Sequence, residues 1–438
     1  MEGRAYVLFN LTDRLPIMFR CDSISVIFAS ITLIIWVLCA YYSIGYFKKE
    51  KKTIRYGFFY LMTLIVLLCL DMAANLVTFY MFYELMTIMS VPLVFHDGTK
   101  EAITASLKYL FYSLCGAYMV LFGIYFVYCN AKTIEFCAAG VLEGNITPEN
   151  RTILLLAIFL MILGFSVKGG MLPMHSWLTS AHPVAPAPAS AFLSGIIVKS
   201  GILGIIRTVY YIAGPNIIRS TYVQYAILGL SIITVFTGSM LAYRDRLLKR
   251  RLAYSTVSQA SYIIFGLLVM HPLAFVGAIC HVVFHAIIKC GLFLYSGIVI
   301  HETGKKYTDE LIGMGKRMPL VLWSFTVLSL SLIGIPPAAG FISKWNLCIG
   351  ALNEDIGAYS YLGPAVLLIS ALLTAGYLLP ITIKGFLPGK DYDGEKEKIK
   401  VNPWMSIPLV ILAILSIVLG LFPSVLTQYL KQLALTLM

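Results

Sequence analysis

The sequence predicts an all-α integral membrane protein with about twelve transmembrane helices, two of them broken. Of its 438 residues, 59% are hydrophobic and 12% are charged, whereas soluble domains average about 45–50% apolar and about 25% charged residues. Apolar runs of roughly 20 residues, the length that spans a bilayer, recur along the whole chain. Two of these runs combine a lysine with glycines and prolines, which are tolerated at membrane depth only where protein or water surrounds them.

The spans follow one another between polar loops, and the fifth and tenth are the broken ones. The interruptions are Gly169, Gly170 and Pro173 in the fifth, and Pro336, Pro337 and Gly340 in the tenth. The predicted spans cover residues 23–46, 56–71, 75–95, 102–128, 152–178, 188–213, 221–243, 252–270, 274–300, 318–350, 359–386 and 404–426.

The net charge of +12 sits in short clusters between the apolar runs, which indicates membrane topology and argues against a nucleic-acid-binding surface. Lysine and arginine gather in cytoplasmic loops, and alternate loops hold most of them. The loops predicted to be cytoplasmic contain Lys48, Lys49, Lys51, Lys52, Arg55, Lys100, Lys108, Arg244, Arg246, Lys249, Arg250, Arg251, Lys305, Lys306, Lys316, Arg317, Lys384, Lys390, Lys396, Lys398 and Lys400. The opposite side receives Arg4, Arg14, Arg20, Lys132, Arg151, Arg207, Arg219 and Lys431, so that both termini are predicted to lie outside.

The N-terminal segment has no apolar stretch followed by a small-residue cleavage site, so we expect the first span to be an anchor and not a removed signal peptide. The nine cysteines show neither a C-x-x-C motif nor cluster spacing, which predicts packing residues and no iron–sulfur site. They are Cys21, Cys39, Cys69, Cys115, Cys129, Cys137, Cys280, Cys290 and Cys348.

Five charged residues fall inside the predicted spans, with Asp22 and Asp71 at span edges. At about 3 kcal/mol each, such charges are too costly to leave in lipid, so we expect them to line one hydrated track. A lysine whose carboxylate partner can approach or withdraw can take up and release a proton. A static buried ion pair is the alternative. The five are Glu84, Lys168, Lys199, Lys289 and Lys344.

His281, His285 and Lys289 follow at intervals of four in the ninth span, which places them on one helix face. Histidine titrates near neutral pH, so this stripe predicts proton transfer through intervening water. A metal site and satisfied packing histidines are the alternatives. The metal site is disfavoured because HVVFH lacks the glutamate of H-E-x-x-H and no other cluster completes a coordination shell.

His175 and His182 flank the first break, where backbone groups freed from the helix can hold water. They either connect the track to the cytoplasm or order the loop by hydrogen bonding. Ser255, Ser258 and Gln259 place hydroxyls and an amide in the eighth span, for which helix–helix hydrogen bonding is the simpler interpretation.

Spans two to six and seven to eleven each place a broken helix fourth, which predicts an internal repeat whose second copy is inverted. The predicted units are residues 1–55 (N-terminal segment and first span), 56–214 (first five-helix repeat), 219–388 (second repeat) and 389–438 (cytoplasmic loop and last span). We find no nucleotide fingerprint, P-loop or activated nucleophile, so no catalytic, cofactor-binding or metal-binding residue is predicted in this chain.

Seven motifs resemble the antiporter-like membrane subunits shared by respiratory complex I, membrane-bound hydrogenases and Mrp-type sodium/proton antiporters. The resemblance covers nearly the whole chain. The motifs are FRCDSISVIF, YELMTIMSVPL, KGGMLPMHSWLTSAHPVAPAPASA, IIVKSG, YSTVSQASY, HVVFHAIIKCGLFL and GIPPAAGFISKW.

The resemblance implies a family fold of fourteen helices with two inverted five-helix repeats, each holding a half-channel around a broken helix. This sequence begins at what resembles the third helix, and it resembles an inner or Mrp D-type subunit. By resemblance, Glu84 is the glutamate that pairs with Lys168, and Lys199 is the connecting lysine. The remaining counterparts are Lys289 and Lys344 in the second half-channel and His281 and His285 on the central axis.

The expected function is proton translocation as the antiporter-like subunit of a multisubunit redox-driven pump, the ion-translocating part of an oxidoreductase complex. Alternatives are the D-type component of an Mrp sodium/proton antiporter without redox chemistry and a quinone-site subunit. The expected partners are further membrane subunits, including other antiporter-like ones, and peripheral redox subunits with iron–sulfur clusters. The expected transported ions are protons, with sodium as an alternative. No nucleic acid is expected as a partner. The expected location is a prokaryotic cytoplasmic membrane.

Overall fold

The computed structural model describes residues 4–12, 15–48, 53–138, 140–389 and 397–438. A small antiparallel hairpin, β1 (Tyr6–Thr12) and β2 (Leu15–Phe19), precedes the helices; the sequence did not predict it. Some of the basic residues used for topology lie outside the described residues. These are Arg14, Lys49, Lys51, Lys52, Lys390 and Lys396.

The helices follow the predicted spans closely. In the first half they are α1 (Ser23–Tyr46), α2 (Thr53–Asp71), α3 (Leu76–Val94), α4 (Lys100–Asn130), α5 (Arg151–Gly169), α6 (Ser176–Val184), α7 (Ala187–Phe192), α8 (Val198–Ile206) and α9 (Pro215–Ile218). In the second half they are α10 (Tyr222–Arg244), α11 (Leu248–Val269), α12 (Pro272–Thr303), α13 (Met314–Arg317), α14 (Pro319–Ile333), α15 (Ala339–Leu352), α16 (Tyr359–Phe386), α17 (Pro403–Leu421) and α18 (Ser424–Leu437).

Within the described ranges, 11 helical segments are long and apolar enough to cross a membrane. The shorter apolar helix α14 lies where the tenth, broken span was predicted, so the fold of about twelve spans is confirmed. The chain is an integral membrane protein. The inverted relation between the two halves stays a prediction.

Both predicted breaks are present. α5 is followed by Gly170, whose φ of 75° is left-handed, and α14 is followed by Gly334, with a φ of 93°. Glycine adopts these angles without a steric penalty. At the first break, the carbonyl of Val167 accepts from the indole nitrogen of Trp177 over 2.8 Å as well as from the backbone N–H of Gly170 over 3.1 Å, so the end of α5 is tied to α6.

Three membrane-spanning segments are almost entirely covered by protein. The segment from Ala187 to Ala213 is 100% buried over its apolar window, α11 is 94% buried and α12 is 89% buried, whereas α2 and α16 are each 33% buried. α12 packs against helices from both halves, including α1, α7, α11, α14, α15 and α17. Polar side chains on these three segments are therefore shielded from lipid.

Candidate functional site

The polar stripe predicted on α12 lies at the centre of the molecule. His281, His285 and Lys289 are all buried, and the rings of the two histidines stack with centroids 5.7 Å apart and an interplanar angle of 22°. A spacing of four residues places the three side chains along one face of the helix. That face points into the protein and not toward lipid.

Lys199 joins this stripe from the neighbouring segment. Its Nζ lies 2.7 Å from Nδ1 of His285 and donates to the backbone carbonyl of Ser194 over 2.6 Å. The carbonyl belongs to a π-helical stretch, Leu193–Ile197, directly before α8. Such bulges occur frequently at functional sites because they change which groups a helix presents.

A second series of hydrogen bonds leads from Lys199 to Lys289. Ser194 Oγ lies 2.7 Å from Thr256 Oγ1, and Thr256 donates to the carbonyl of Leu252 over 3.1 Å. The same carbonyl accepts from Lys289 Nζ over 3.0 Å. Sequence analysis missed Ser194 and Thr256 because neither residue type nor spacing distinguishes them from ordinary helix hydroxyls.

The other end of the stripe leads to the second break. His281 Nδ1 lies 2.8 Å from Ser343 Oγ, next in sequence to Lys344. Lys344 Nζ donates to the carbonyls of Leu332 and Ile333 over 2.7 and 3.0 Å. These carbonyls end α14, where the helix dipole favours a cation.

Lys168 lies at the first break, where Glu84 is its electrostatic neighbour. Lys168 is fully buried in the last turn of α5, and its Nζ donates to the carbonyl of Tyr83 over 2.7 Å and lies 3.4 Å from the centroid of that ring. Glu84 interacts electrostatically with Lys168, but its Oε1 is buried without a hydrogen-bond partner among the described residues. Its carboxylate therefore retains hydrogen-bonding capacity.

The two histidines beside the first break differ in environment. His175 is half-buried, 6.3 Å between ring centroids from Tyr254. His182 is buried and stacks on Phe293 at 4.4 Å. Neither ring nitrogen of His182 has a hydrogen-bond partner among the described residues, and the ring interacts electrostatically with Lys289. His182 thus borders the lysine–histidine series.

Arg207, predicted on the outer side, is covered by protein: it is 1% exposed and forms a bidentate pair with Asp22, with N–O distances of 2.5 and 3.0 Å. Asp71, fully enclosed and hydrogen-bonded to Thr32 over 3.1 Å, lies within its electrostatic reach. Burial would raise the pKa of the Asp22 carboxyl, but the Arg207 guanidinium and hydrogen bonds from Ser25 hold that pKa below its usual value.

The described histidine, cysteine and carboxylate side chains form no group of three or more that could hold a metal ion. The site is instead a series of buried lysines and histidines, linked by the hydrogen bond between Lys199 and His285, by stacking of His285 on His281 and by bonds to neighbouring hydroxyls and backbone carbonyls. Residues 73–374 match the family model described as "NADH:quinone oxidoreductase/Mrp antiporter, TM". The chain belongs to this family.

The relatives of this chain include components of NADH-quinone oxidoreductases and of Na(+)/H(+) antiporters. The N-type component of NADH-quinone oxidoreductase from Desulforudis audaxviator is 32% identical over 396 residues, covering 86% of this chain and 77% of the relative. The D-type component of the Na(+)/H(+) antiporter from Alkalihalophilus pseudofirmus is 30% identical over 402 residues, covering 92% and 79%. Family membership therefore identifies an antiporter-like subunit, and its relatives are subunits of multisubunit membrane complexes.

Solved structures show the same fold at 22% sequence identity. A chain of the Mrp complex from Dietzia sp. superposes with a TM-score of 0.85, covering 99% of this chain and 87% of that one. A chain of the membrane-bound sulfane sulfur reductase, an archaeal respiratory membrane complex, gives 0.88, covering 100% and 86%. The antiporter-like architecture predicted from the motifs is confirmed.

Proposed function

We propose that this chain is the proton-translocating, antiporter-like subunit of a multisubunit redox-driven ion pump. The observation that carries the proposal is the buried contact between Lys199 and His285, extended by stacking to His281 and through Ser343 to the neighbourhood of Lys344. Amines and imidazoles can each hold or release a proton, so such a series can pass protons stepwise.

In the proposed mechanism, protons enter near one broken helix, are exchanged among the four lysines and leave on the other side. Glu84 receives the electrostatic signal from a neighbouring subunit and changes its interaction with Lys168. Moving one charge against 100 mV requires about 2.3 kcal/mol, and we propose that this chain holds no redox cofactor. The driver is therefore a partner, for which we propose peripheral redox subunits with iron–sulfur clusters.

We further propose a location in a prokaryotic cytoplasmic membrane with both termini outside. The proposed units are residues 56–214 and 219–388 as the two inverted repeats, flanked by 1–55 and 389–438. The excess of basic residues in alternate loops supports this orientation, and the placement of one broken helix in each proposed repeat supports the boundaries.

The test uses the assembled complex in proteoliposomes containing a pH-sensitive dye. Glu84→Gln and Lys168→Ala should abolish translocation while electron transfer and assembly persist, because each removes one of the two interacting charges at the first break. Lys398→Ala, at an exposed loop position, is the control and should pump normally. Undiminished pumping by Glu84→Gln or by Lys168→Ala would refute the mechanism.

A sodium/proton antiporter without redox chemistry is the second candidate, and the 30% identity to the D-type component of a Na(+)/H(+) antiporter favours it. The site is rich in lysine, whereas sodium prefers oxygen ligands, so in this case protons would use this chain and sodium another subunit. Purification decides between the two: iron–sulfur and nickel or flavin proteins accompany a redox pump, and only small membrane subunits accompany an antiporter.

A further inference from the structure

An open surface cavity of about 470 Å³ lies at the end of α10, outside the lysine–histidine site. α10 ends at Arg244 and α11 begins at Leu248, so the cavity lies beside the short loop that connects two membrane spans. This is the side of the chain on which the basic loops gather, and we propose it to be cytoplasmic. The lining of the cavity includes three arginines and two tyrosines, Arg244, Arg246, Arg250, Tyr254 and Tyr307.

Backbone hydrogen bonds fix the wall of this cavity. The N–H of Thr308 donates to the carbonyl of Arg246 over 2.9 Å, and Leu247 and Tyr307 form an antiparallel bridge. The loop between α10 and α11 is therefore paired with the segment that follows α12. Arg246 and Tyr307 hold their places on the wall because their own backbone is part of this pairing.

The acidic residue in the described lining, Asp245, is already satisfied. Its Oδ1 accepts from the N–H of Leu247 over 2.8 Å, and its Oδ2 accepts from Nε of Arg250. The side chain of Asp245 is 7% exposed, whereas that of Arg250 is 49% exposed. One carboxylate thus compensates one of the three guanidinium groups, and the lining keeps an excess of positive charge.

Arg244 and Arg246 retain donors that can bind an anion. Nε of Arg246 lies 3.9 Å from Oδ2 of Asp309, but these side chains are 79% and 65% exposed, and a contact of this kind contributes little. Arg244 has no ion pair or side-chain hydrogen bond among the described residues. A guanidinium presents a planar fork of donors that matches the oxygens of a phosphate group.

An apolar stripe leads along α10 to these arginines. Its members recur every three or four residues, which places them on one face of the helix, and all are exposed on the surface of the chain. In a membrane span, an exposed apolar face contacts the acyl chains of lipids, and a tyrosine at its end suits the interface with water. The stripe consists of Ile233, Phe236, Met240 and Tyr243, the last directly before Arg244.

We propose that this cavity binds the phosphate headgroup of an anionic phospholipid, such as phosphatidylglycerol or cardiolipin, whose acyl chains lie along the apolar stripe of α10. Basic pockets at the cytoplasmic ends of membrane helices suit such headgroups. Inorganic phosphate shares the chemistry of the headgroup, but it has no tails to contact the stripe. A lipid satisfies the arginines and the stripe together. The site lies apart from the lysine–histidine series, so it does not depend on the proposed function.

The test titrates the assembled complex, purified and delipidated in detergent, with phosphatidylglycerol and counts bound lipid by native mass spectrometry. The apparent affinity should fall about fivefold for each arginine removed, in Arg244→Gln and in Arg244→Gln with Arg246→Gln. Lys398→Gln with Lys400→Gln is the matched control. It removes two exposed positive charges from a loop on the same predicted side, and it should bind like wild type.

Two further measurements identify the occupant. Phosphatidylcholine and inorganic phosphate should bind wild type more weakly than phosphatidylglycerol does, because the first has no net negative charge and the second has no acyl chain. A photoreactive benzoylphenylalanine in place of Tyr307, which is 51% exposed, should crosslink to phospholipid in the membrane-embedded complex.

Each outcome supports or overturns the lipid site. Equal affinity of the double arginine variant and the double lysine control overturns it. Equal binding of inorganic phosphate and phosphatidylglycerol assigns the cavity to a free anion, and crosslinking to a polypeptide assigns it to a subunit interface; either result also overturns the site. Should the double arginine variant assemble poorly, Arg244→Gln decides, because it breaks no side-chain contact among the described residues: binding like the control overturns the site, and a fivefold loss supports it.

Discussion

Lys199 and His285 meet across two helices at 2.7 Å between Nζ and Nδ1, and both side chains are buried. When the lysine is an ammonium, the imidazole nitrogen has to accept this hydrogen bond. Transfer of one proton along it converts the pair to a neutral amine and an imidazolium without moving a heavy atom. The geometry of this contact therefore allows a proton to pass between Lys199 Nζ and His285 Nδ1.

His285→Gln tests this exchange. Glutamine keeps an acceptor for Lys199 but does not titrate, so translocation by the assembled complex should fall at least about tenfold, within the range expected when a positioned acid–base group is lost. Dye-based proton uptake in proteoliposomes provides the measurement. His301→Gln, on the same helix but partly exposed beside Glu302, should retain the normal rate; equal rates for the two variants would contradict a proton-accepting role.

Thr256→Val tests the hydrogen-bonded series between Lys199 and Lys289. Valine preserves the shape of threonine but breaks the contact with Ser194, so we expect translocation to fall several-fold with little change in complex yield. The control is Thr63→Val, because the hydroxyl of Thr63 donates to the carbonyl of Phe59 in its own helix. A rate for Thr256→Val equal to that of the control would show that the series is structural.

Sequence patterns predicted the spans, both breaks and the polar face of α12, because hydropathy and helical spacing are local properties. They did not show that Arg207 is buried, since proximity to the end of a span does not reveal whether the protein covers that end. They also missed Ser194, whose carbonyl reaches Lys199 only because a π-helical stretch precedes α8. Long-range partners such as Asp22, 185 residues from Arg207, are fixed by packing alone.

Asp22→Ala should lower the free energy of unfolding by about 3–5 kcal/mol, because it leaves the buried guanidinium of Arg207 uncompensated. The folded-state pKa of Asp22 is depressed, so the stabilisation by this pair is fully present above the unfolded-state pKa of about 3.9 and is lost as the pH falls through the lower folded value. The difference in thermal midpoint between wild type and Asp22→Ala should therefore be constant near neutral pH and shrink below about pH 4.

The control for this pair is Glu354→Gln. Its partner Arg219 is 38% exposed, so water screens the interaction and the loss should stay below about 1 kcal/mol. Thermal unfolding in detergent measures both variants. Similar destabilisation by Asp22→Ala and Glu354→Gln would mean that Arg207 is not held as a buried charge.

Gly340→Ala should disrupt the second break. An added Cβ would lie 1.8 Å from the carbonyl oxygen of Ser331, so α15 has to move away from the end of α14, where Lys344 donates to the carbonyls of Leu332 and Ile333. Overpacking of this kind costs about 1–3 kcal/mol, and we expect a lower thermal midpoint together with loss of translocation.

Gly57→Ala separates this steric effect from the general effect of replacing a helical glycine. No atom lies within 4 Å of a Cβ at Gly57 in α2, so alanine there should be neutral or stabilise the helix by about 0.5–1 kcal/mol. If Gly340→Ala matches Gly57→Ala in thermal midpoint and pumping, the close approach of α14 and α15 does not position Lys344. If only Gly340→Ala loses both, the break is what holds this lysine beside Ser343 and the central histidines.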